Sequence, residues 1–171
     1  MAELQKIVNF LDEYLDIANI KDASFNGLQM EGSVNVKKIM FAVDSGEETF
    51  RKAVDEGADM VVVHHGLFWN GSNPSLRGVM KNRVRILFEN NISLYACHLP
   101  LDKHNETGNN AQLLKSINAE IVDEFFEIDG TKIGYIGKLE KETAPEKIKE
   151  ALDNDLGTDS RLFALGEKKV K

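Results

Sequence analysis

The residue types best able to do chemistry fall in two short segments. His64 and His65 close the apolar run Val61-Val62-Val63 and lead into Gly66. His98 and Asp102 share His98-Leu99-Pro100-Leu101-Asp102, which follows a second apolar run at 92–97; the remaining histidine is His104. Neutral imidazoles joined by a carboxylate form a common ligand set for zinc, iron, manganese or nickel. Adjacent strand residues point to opposite faces, so both rings of His64-His65 reach one cleft only where the strand runs out and its backbone bends. Two rings facing different points of a cleft suit a pair of ions better than one, and a carboxylate can bridge ions about 3.5–4 Å apart. The metal candidates are therefore His64, His65 and Asp102, with two divalent metal ions (Zn, Fe, Mn or Ni) as the expected cofactors. His98 is open to three roles: a ligand, a donor that orients Asp102, or a buried imidazole beside Cys97. His104, in the polar stretch Asp102-Lys103-His104-Asn105-Glu106, is either solvated or turned toward substrate as an acid or base. Phe68 and Trp69 wall the cleft, stack on a base, or simply pack against the strand.

The elements that must position these residues can be read from periodicity. Residues 2–17 place Leu4, Ile7, Val8, Leu11 and Leu15 on one helical stripe. Residues 24–29 read as a loop with Asn26-Gly27 as its turn. Strands are predicted at 37–43, 58–63 and 92–97, and helices at 46–57, 76–90 and 108–117, with Val79, Ile86 and Leu87 on the inner side of the second. Strands alternating with helices of this length imply right-handed crossovers and a mostly parallel, mixed sheet between helical layers, a three-layer α/β/α arrangement. Ligands gather beyond the carboxyl ends of such strands, where both histidine segments lie.

The pattern changes after residue 120. Residues 121–128 and 132–138 flank Asp129-Gly130, a hairpin signal. Thr143-Ala144-Pro145-Glu146 reads as a capping box with Pro in the helix start, Gly157 ends that helix, and 161–165 reads as a strand. Lys169-Val170-Lys171 resembles Val36-Lys37-Lys38, the opening of the first α/β unit, so a duplicated unit with a truncated second copy is expected. This divides the chain into residues 1–120, which carry the metal-ligand loops, and 121–171, a hairpin, a helix and the start of an incomplete second unit.

Composition narrows the function classes. The 171 residues suffice for one well-packed domain, and the net charge of -7 exerts no global pull toward nucleic acid. One cysteine, Cys97, excludes an internal disulfide framework and fits the reducing cytoplasm. No apolar run approaches the roughly 18 residues that span a bilayer, and no basic segment followed by an apolar stretch marks secretion. A phosphate-binding Gly-rich loop, a Gly-x-Ser-x-Gly elbow and a dinucleotide glycine fingerprint are all missing.

Three stretches together resemble the dinuclear metal centre hexameric protein family, also called GTP cyclohydrolase 1 type 2 homologs or NGG-interacting factor 3-like proteins. Asn26-Gly27-Leu28-Gln29 is similar to its Asp-Asn-x-Gly-Leu-Gln segment, with Ser24 and Phe25 in place of the usual preceding residues. Val63-His64-His65-Gly66-Leu67-Phe68-Trp69 is similar to its double-histidine motif. Tyr95-Ala96-Cys97-His98-Leu99-Pro100-Leu101-Asp102, followed by Gly108-Asn109-Asn110-Ala111, resembles its His-x-x-x-Asp and Gly-Asn-Asn segments. The resemblance implies that His64 and His65 bind different ions of a pair, with Asp102 as a further ligand. It also implies two related α/β units and a hexameric homo-oligomer. The family completes its site with a C-terminal His-x-x-x-Glu motif, and this chain has no histidine after His104.

The expected function is a metal-dependent hydrolase acting on a small molecule or nucleotide. The family name points to the purine ring of GTP, and phosphoesters would use the same metals. The alternative is a non-enzymatic metal-binding scaffold or regulatory interaction protein; a DNA-binding ring ranks last because of the acidic balance.

Overall fold

The computed structural model describes residues 1–166 and 169–171; Glu167 and Lys168 lie outside the described residues. The chain divides into two units, Met1–Leu101 and Asp102–Lys171. The first runs through β1 (Ala2–Glu3), α1 (Leu4–Tyr14), β2 (Gly27–Met30), β3 (Asn35–Val36), β4 (Ile39–Asp44), α2 (Glu47–Asp55), β5 (Met60–His65), α3 (Gly78–Glu89) and β6 (Ser93–Ala96). A short helix, α4 (Leu99–Lys103), carries the chain across the division. The second unit contains α5 (Asn109–Ser116), β7 (Glu120–Ile128), β8 (Thr131–Lys138) and α6 (Pro145–Leu156). No helix among the described residues is long and apolar enough to cross a membrane.

In the first unit a four-stranded sheet runs in the order β2-β6-β5-β4. β4, β5 and β6 are parallel, and β2 joins β6 antiparallel. Side chains alternate between the faces. Val61, Val63, Leu94 and Ala96 pack with Phe50 and Ala53 of α2 and Ile86 and Leu87 of α3. Met60, Tyr95 and Cys97 pack on the other face with Leu4 and Val8 of α1. The two clusters make the expected three layers. Each fully buried Val or Leu contributes about 1.5–3 kcal/mol, so β5 and β6, covered on both faces, are held harder than β4. There Phe41 is 72% exposed and Val43 62%. Tyr95 also donates its hydroxyl to Asp12 Oδ1 at 2.8 Å, tying α1 to β6. Burial and the Asp12 carboxylate push that phenol far above its ordinary pKa.

Several expectations are corrected. Residues 24–29 are not all loop, because Gly27, at φ +98°, turns the chain into β2, whose residues pair with β6. Val79, in the first turn of α3, is 61% exposed; Met80 and Val84 pack on the core instead, with Ile86 and Leu87. Thr143 does not cap α6, since its hydroxyl donates to Lys141 O at 2.9 Å and Ala144 takes the cap position ahead of Pro145. Residues 161–165 form no strand. Among the described residues β7 and β8 pair only with each other, which leaves no edge in use, and the pairing nearby is one bridge between Thr143 and Val170.

The hairpin itself forms as expected, with Asp129 at φ 48° and Gly130 at φ 86° in its two-residue turn. The compact units meet at Leu101/Asp102, while the change of sequence pattern comes at 120/121. Within the second unit α5 packs on the hairpin: a Cβ at Gly137 would lie 3.2 Å from Leu114 Cδ1, and Asn110 Nδ2 donates to Ile133 O at 3.1 Å.

Asp59 sets the amino ends of the parallel strands. Its Oδ2 accepts the Lys37 and Lys38 N–H groups at 2.7 and 3.0 Å, and its own backbone bonds Lys38 and Ser93. The N–H bonds from Lys37 and then Lys38 outweigh partial burial and hold its carboxyl below the ordinary value. A lowered folded pKa gives stability that is present above the unfolded value of about 3.9 and is lost as pH falls through the folded one. Asp59→Ala is expected to lower the unfolding free energy by about 1–2 kcal/mol at neutral pH. In urea titrations the gap from wild type should close as the pH is taken below the folded pKa.

Candidate metal centre

Parallel register places these side chains together at the carboxyl end of the sheet. Asp44 and His65 are direct partners at the ends of β4 and β5, and Val63 partners Ala96 of β6. One residue beyond β6, Cys97 N–H donates to Val63 O at 2.9 Å, which extends the ladder and sets the Cys97 carbonyl beside His64. His64 and His65 are the last two residues of β5 rather than part of the loop after it. They escape the opposed directions of a straight strand by turning to different neighbours. His64 Nδ1 lies 3.0 Å from Cys97 O on the β6 side, and His65 Nδ1 lies 2.7 Å from Asp44 Oδ1 on the β4 side.

His98 completes the group. Its ring centroid is 5.0 Å from that of His64 and 5.6 Å from that of His65, which are themselves 4.5 Å apart. His98 Nδ1 lies 3.0 and 3.1 Å from the two carboxylate oxygens of Asp22. A carbonyl or carboxylate oxygen can only accept, so each ring donates Nδ1–H, and a neutral ring then carries its lone pair on Nε2. This is the arrangement by which histidine ligands are oriented toward a metal. One ligand atom from each of the three rings lies within 4.8 Å of the others, and the group could hold a metal ion. All-imidazole donors with no thiolate fit the borderline divalent ions named above.

Asp22 anchors this arrangement. Its side chain is 2% exposed, against 21% for His98. Besides His98 it accepts Ser24 N–H (3.0 Å), Asn26 Nδ2 (2.9 Å) and Leu99 N–H (2.8 Å). Burial acts to raise its pKa, but the hydrogen bonds from Asn26, Ser24, His98 and Leu99 prevail and hold the carboxyl below its ordinary value. Asn26 also accepts His98 N–H through Oδ1 at 2.8 Å. On the far side of the cluster Gln29 Oε1 accepts Leu67 N–H at 2.7 Å, and Trp69 Nε1 donates to Gly66 O at 3.0 Å. Gly66 has no room for a side chain, since a Cβ there would come within 2.6 Å of Ala96 Cβ and Gln29 Oε1.

The other two expected site residues, Asp102 and His104, make hydrogen bonds to nearby residues. Asp102 lies on α4, and its Oδ1 accepts Asn109 Nδ2 at 2.9 Å. His104 accepts Glu106 N–H and Thr107 N–H on Nδ1, at 3.3 and 3.2 Å, in the turn before α5. Neither belongs to the three-histidine group found among the described residues.

Comparison with known proteins fits these motifs. The sequence pattern of Duf34/NIF3 (NGG1p interacting factor 3) matches residues 2–171. The chain belongs to the Duf34/NIF3 family. A relative from Archaeoglobus fulgidus called "GTP cyclohydrolase 1 type 2 homolog" is 49% identical over 168 residues, which cover 98% of this chain and 66% of that protein. A protein of the same name from Pyrococcus abyssi is 43% identical, covering 99% of this chain and 68% of its own length. This Duf34/NIF3 chain thus spans about two thirds of the length of these curated relatives. Among solved structures, protein ybgI, described as of unknown function, superposes with a TM-score of 0.89 at 34% identity, covering 98% of this chain and 66% of that one. TTHA1606 from Thermus thermophilus does so with a TM-score of 0.85 at 37% identity, covering 98% and 67%. These neighbours share the α/β fold.

Sequence reading did not single out the two orienting carboxylates. Asp44 had a signal, because it ends the strand predicted beside the histidine strand and so lies at the same end of the sheet. Asp22 had a weaker one, an acidic residue two before Ser24, the spacing of an Asx turn. Asp22→Ala leaves the Leu99 and Ser24 N–H groups and the His98 ring short of an acceptor. It is expected to lower the unfolding free energy in urea by about 2–4 kcal/mol, with Asp22→Asn costing less because one acceptor oxygen remains.

Proposed function

We propose that the chain is the metal-holding part of a divalent-metal-dependent hydrolase. The observation that supports this most is the convergence of His64, His65 and His98, each with Nδ1 tied to an acceptor. A divalent ion bound there would supply Lewis acidity toward water and toward a polarised ring carbon or phosphoryl group. The chain's own residues do the rest. Three imidazoles would hold the ion, while Asp44, Asp22 and the Cys97 carbonyl fix the rings and their protons. Trp69, with its ring 4.9 Å from His98 and 6.2 Å from His65, borders the group on the side of the loop after β5. The family resemblance puts the ion count at two, adds Asp102 as a ligand, and implies a hexameric homo-oligomer. The relatives' name points to GTP as substrate. The single buried cysteine accords with a cytoplasmic setting.

A metal-binding interaction scaffold is the second reading, favoured by the family's description as an interacting factor. Metal analysis of the purified protein is expected to find divalent metal that falls severalfold in His64→Ala, His65→Ala and His98→Ala. The same measurement on Asp102→Ala reads that carboxylate's part. Hydrolysis of GTP or of simple phosphoesters should fall with the metal. Metal bound with no turnover on either class would favour the scaffold, and turnover undiminished in a metal-free His64→Ala protein would sink the hydrolase.

A further inference from the structure

The loop after β5 and the segment before β2 line an open, cleft-like cavity of about 560 Å³, within the range of about 300–1,000 Å³ usual for small-molecule sites. The two segments are tied together by a bridge between Ser24 and Trp69 and by Phe25 N–H donating to Phe68 O at 3.1 Å. The apolar walls are Phe25, Leu28, Phe68, Trp69 and Pro74, and no lining side chain is charged. The larger polar side chains are already committed within the protein. Gln29 bonds Leu67 N–H and Phe25 O, and Asn26 bonds His98 N–H and Asp22. Asn70 Nδ2 donates to Asp22 O, and Trp69 Nε1 to Gly66 O. What the cavity offers a guest is the faces of aromatic rings.

We propose that this cavity takes up a planar heteroaromatic ring by stacking, and so sets the part of the substrate that the metal centre meets. The link to catalysis rests on the metal-centre reading; the ring site itself does not. Trp69 belongs to both places, since it lines the cavity and sets its edge against His98 at 69°. Phe25, 55% exposed in the cavity wall, presents aromatic surface that packing alone leaves uncovered. With no cation among the lining residues, a phosphate of the guest stays outside the cavity. Stacking on ring faces tolerates ring substituents and strengthens with ring area, so a purine should bind more tightly than a pyrimidine.

Trp69 is the only tryptophan in the chain, so its emission reads this cavity directly. In protein stripped of metal with EDTA, GMP and CMP are expected to change Trp69 fluorescence on titration, GMP at the lower concentration. Ribose 5-phosphate and inorganic phosphate should leave it unchanged. Phe25→Ala is expected to weaken GMP binding by roughly tenfold or more, and Phe25→Tyr to preserve it, with metal content the same as wild type in both. The proposal is overturned by any of three results: no response to GMP or CMP, a response of equal affinity to ribose 5-phosphate, or undiminished GMP binding in Phe25→Ala. Those results leave the metal centre standing. Loss of the metal centre, in turn, would show as absent metal in the wild-type protein while GMP still perturbs Trp69 in the stripped form.

Discussion

Parallel pairing in register is the constraint on which the first unit depends. β4, β5 and β6 run the same way, so their carboxyl ends arrive together, and the residues at those ends become neighbours without any loop having to fold over them. Asp44, His64, His65 and, just past β6, His98 are brought to one end of the sheet by this pairing. The pairing also explains how two adjacent histidines serve one group. β5 lies between two partners, and each ring turns to a different one. An edge strand would have given His64 or His65 only one neighbour to lean on.

A second constraint is the nearly buried Asp22 carboxylate. A charge in such a place is costly unless its oxygens are well supplied with donors. Here four donors from two distant stretches of the chain, Ser24–Asn26 and His98–Leu99, converge on it, and the requirement works in both directions. Satisfying the carboxylate fixes the segment before β2, the start of α4 and the His98 ring at once. The exposed Asp44–His65 pair, with side chains 71% and 43% accessible, contributes far less to stability and serves mainly to hold the ring's tautomer.

Much of the fold was legible because its signals are local and strongly periodic. The stripe of α1, the Val61-Val62-Val63 strand, the Asp129-Gly130 turn and the Gly157 stop of α6 all formed as read. Legibility failed where a partner decided the outcome. β2 is a strand because β6 offers it an edge, whereas 161–165, with comparable apolar content, joins no sheet. Thr143 had the right type for a cap, but the chain enters α6 one residue later and its hydroxyl turned back to Lys141. The candidate site divides in the same way. His64 and His65 announce themselves by adjacency at a strand end, but the roles of His98 and His104 depended on what stood near them in space.

The sequence by itself determined the place of the chemistry: which strands carry the histidines, that their ends meet, and which family the motifs resemble. These follow from short-range rules of periodicity and turn formation, and from motif spacing. Only the tertiary structure decided how each imidazole is held. It chose the Cys97 carbonyl, Asp44 and Asp22 as the three acceptors, grouped His98 with the pair on β5, and opened a ring-lined cavity beside Trp69. Those choices pair residues as far apart in sequence as Asp22 and His98. The donors that make a buried carboxylate tolerable are set by how the whole sheet packs, and no local pattern encodes them.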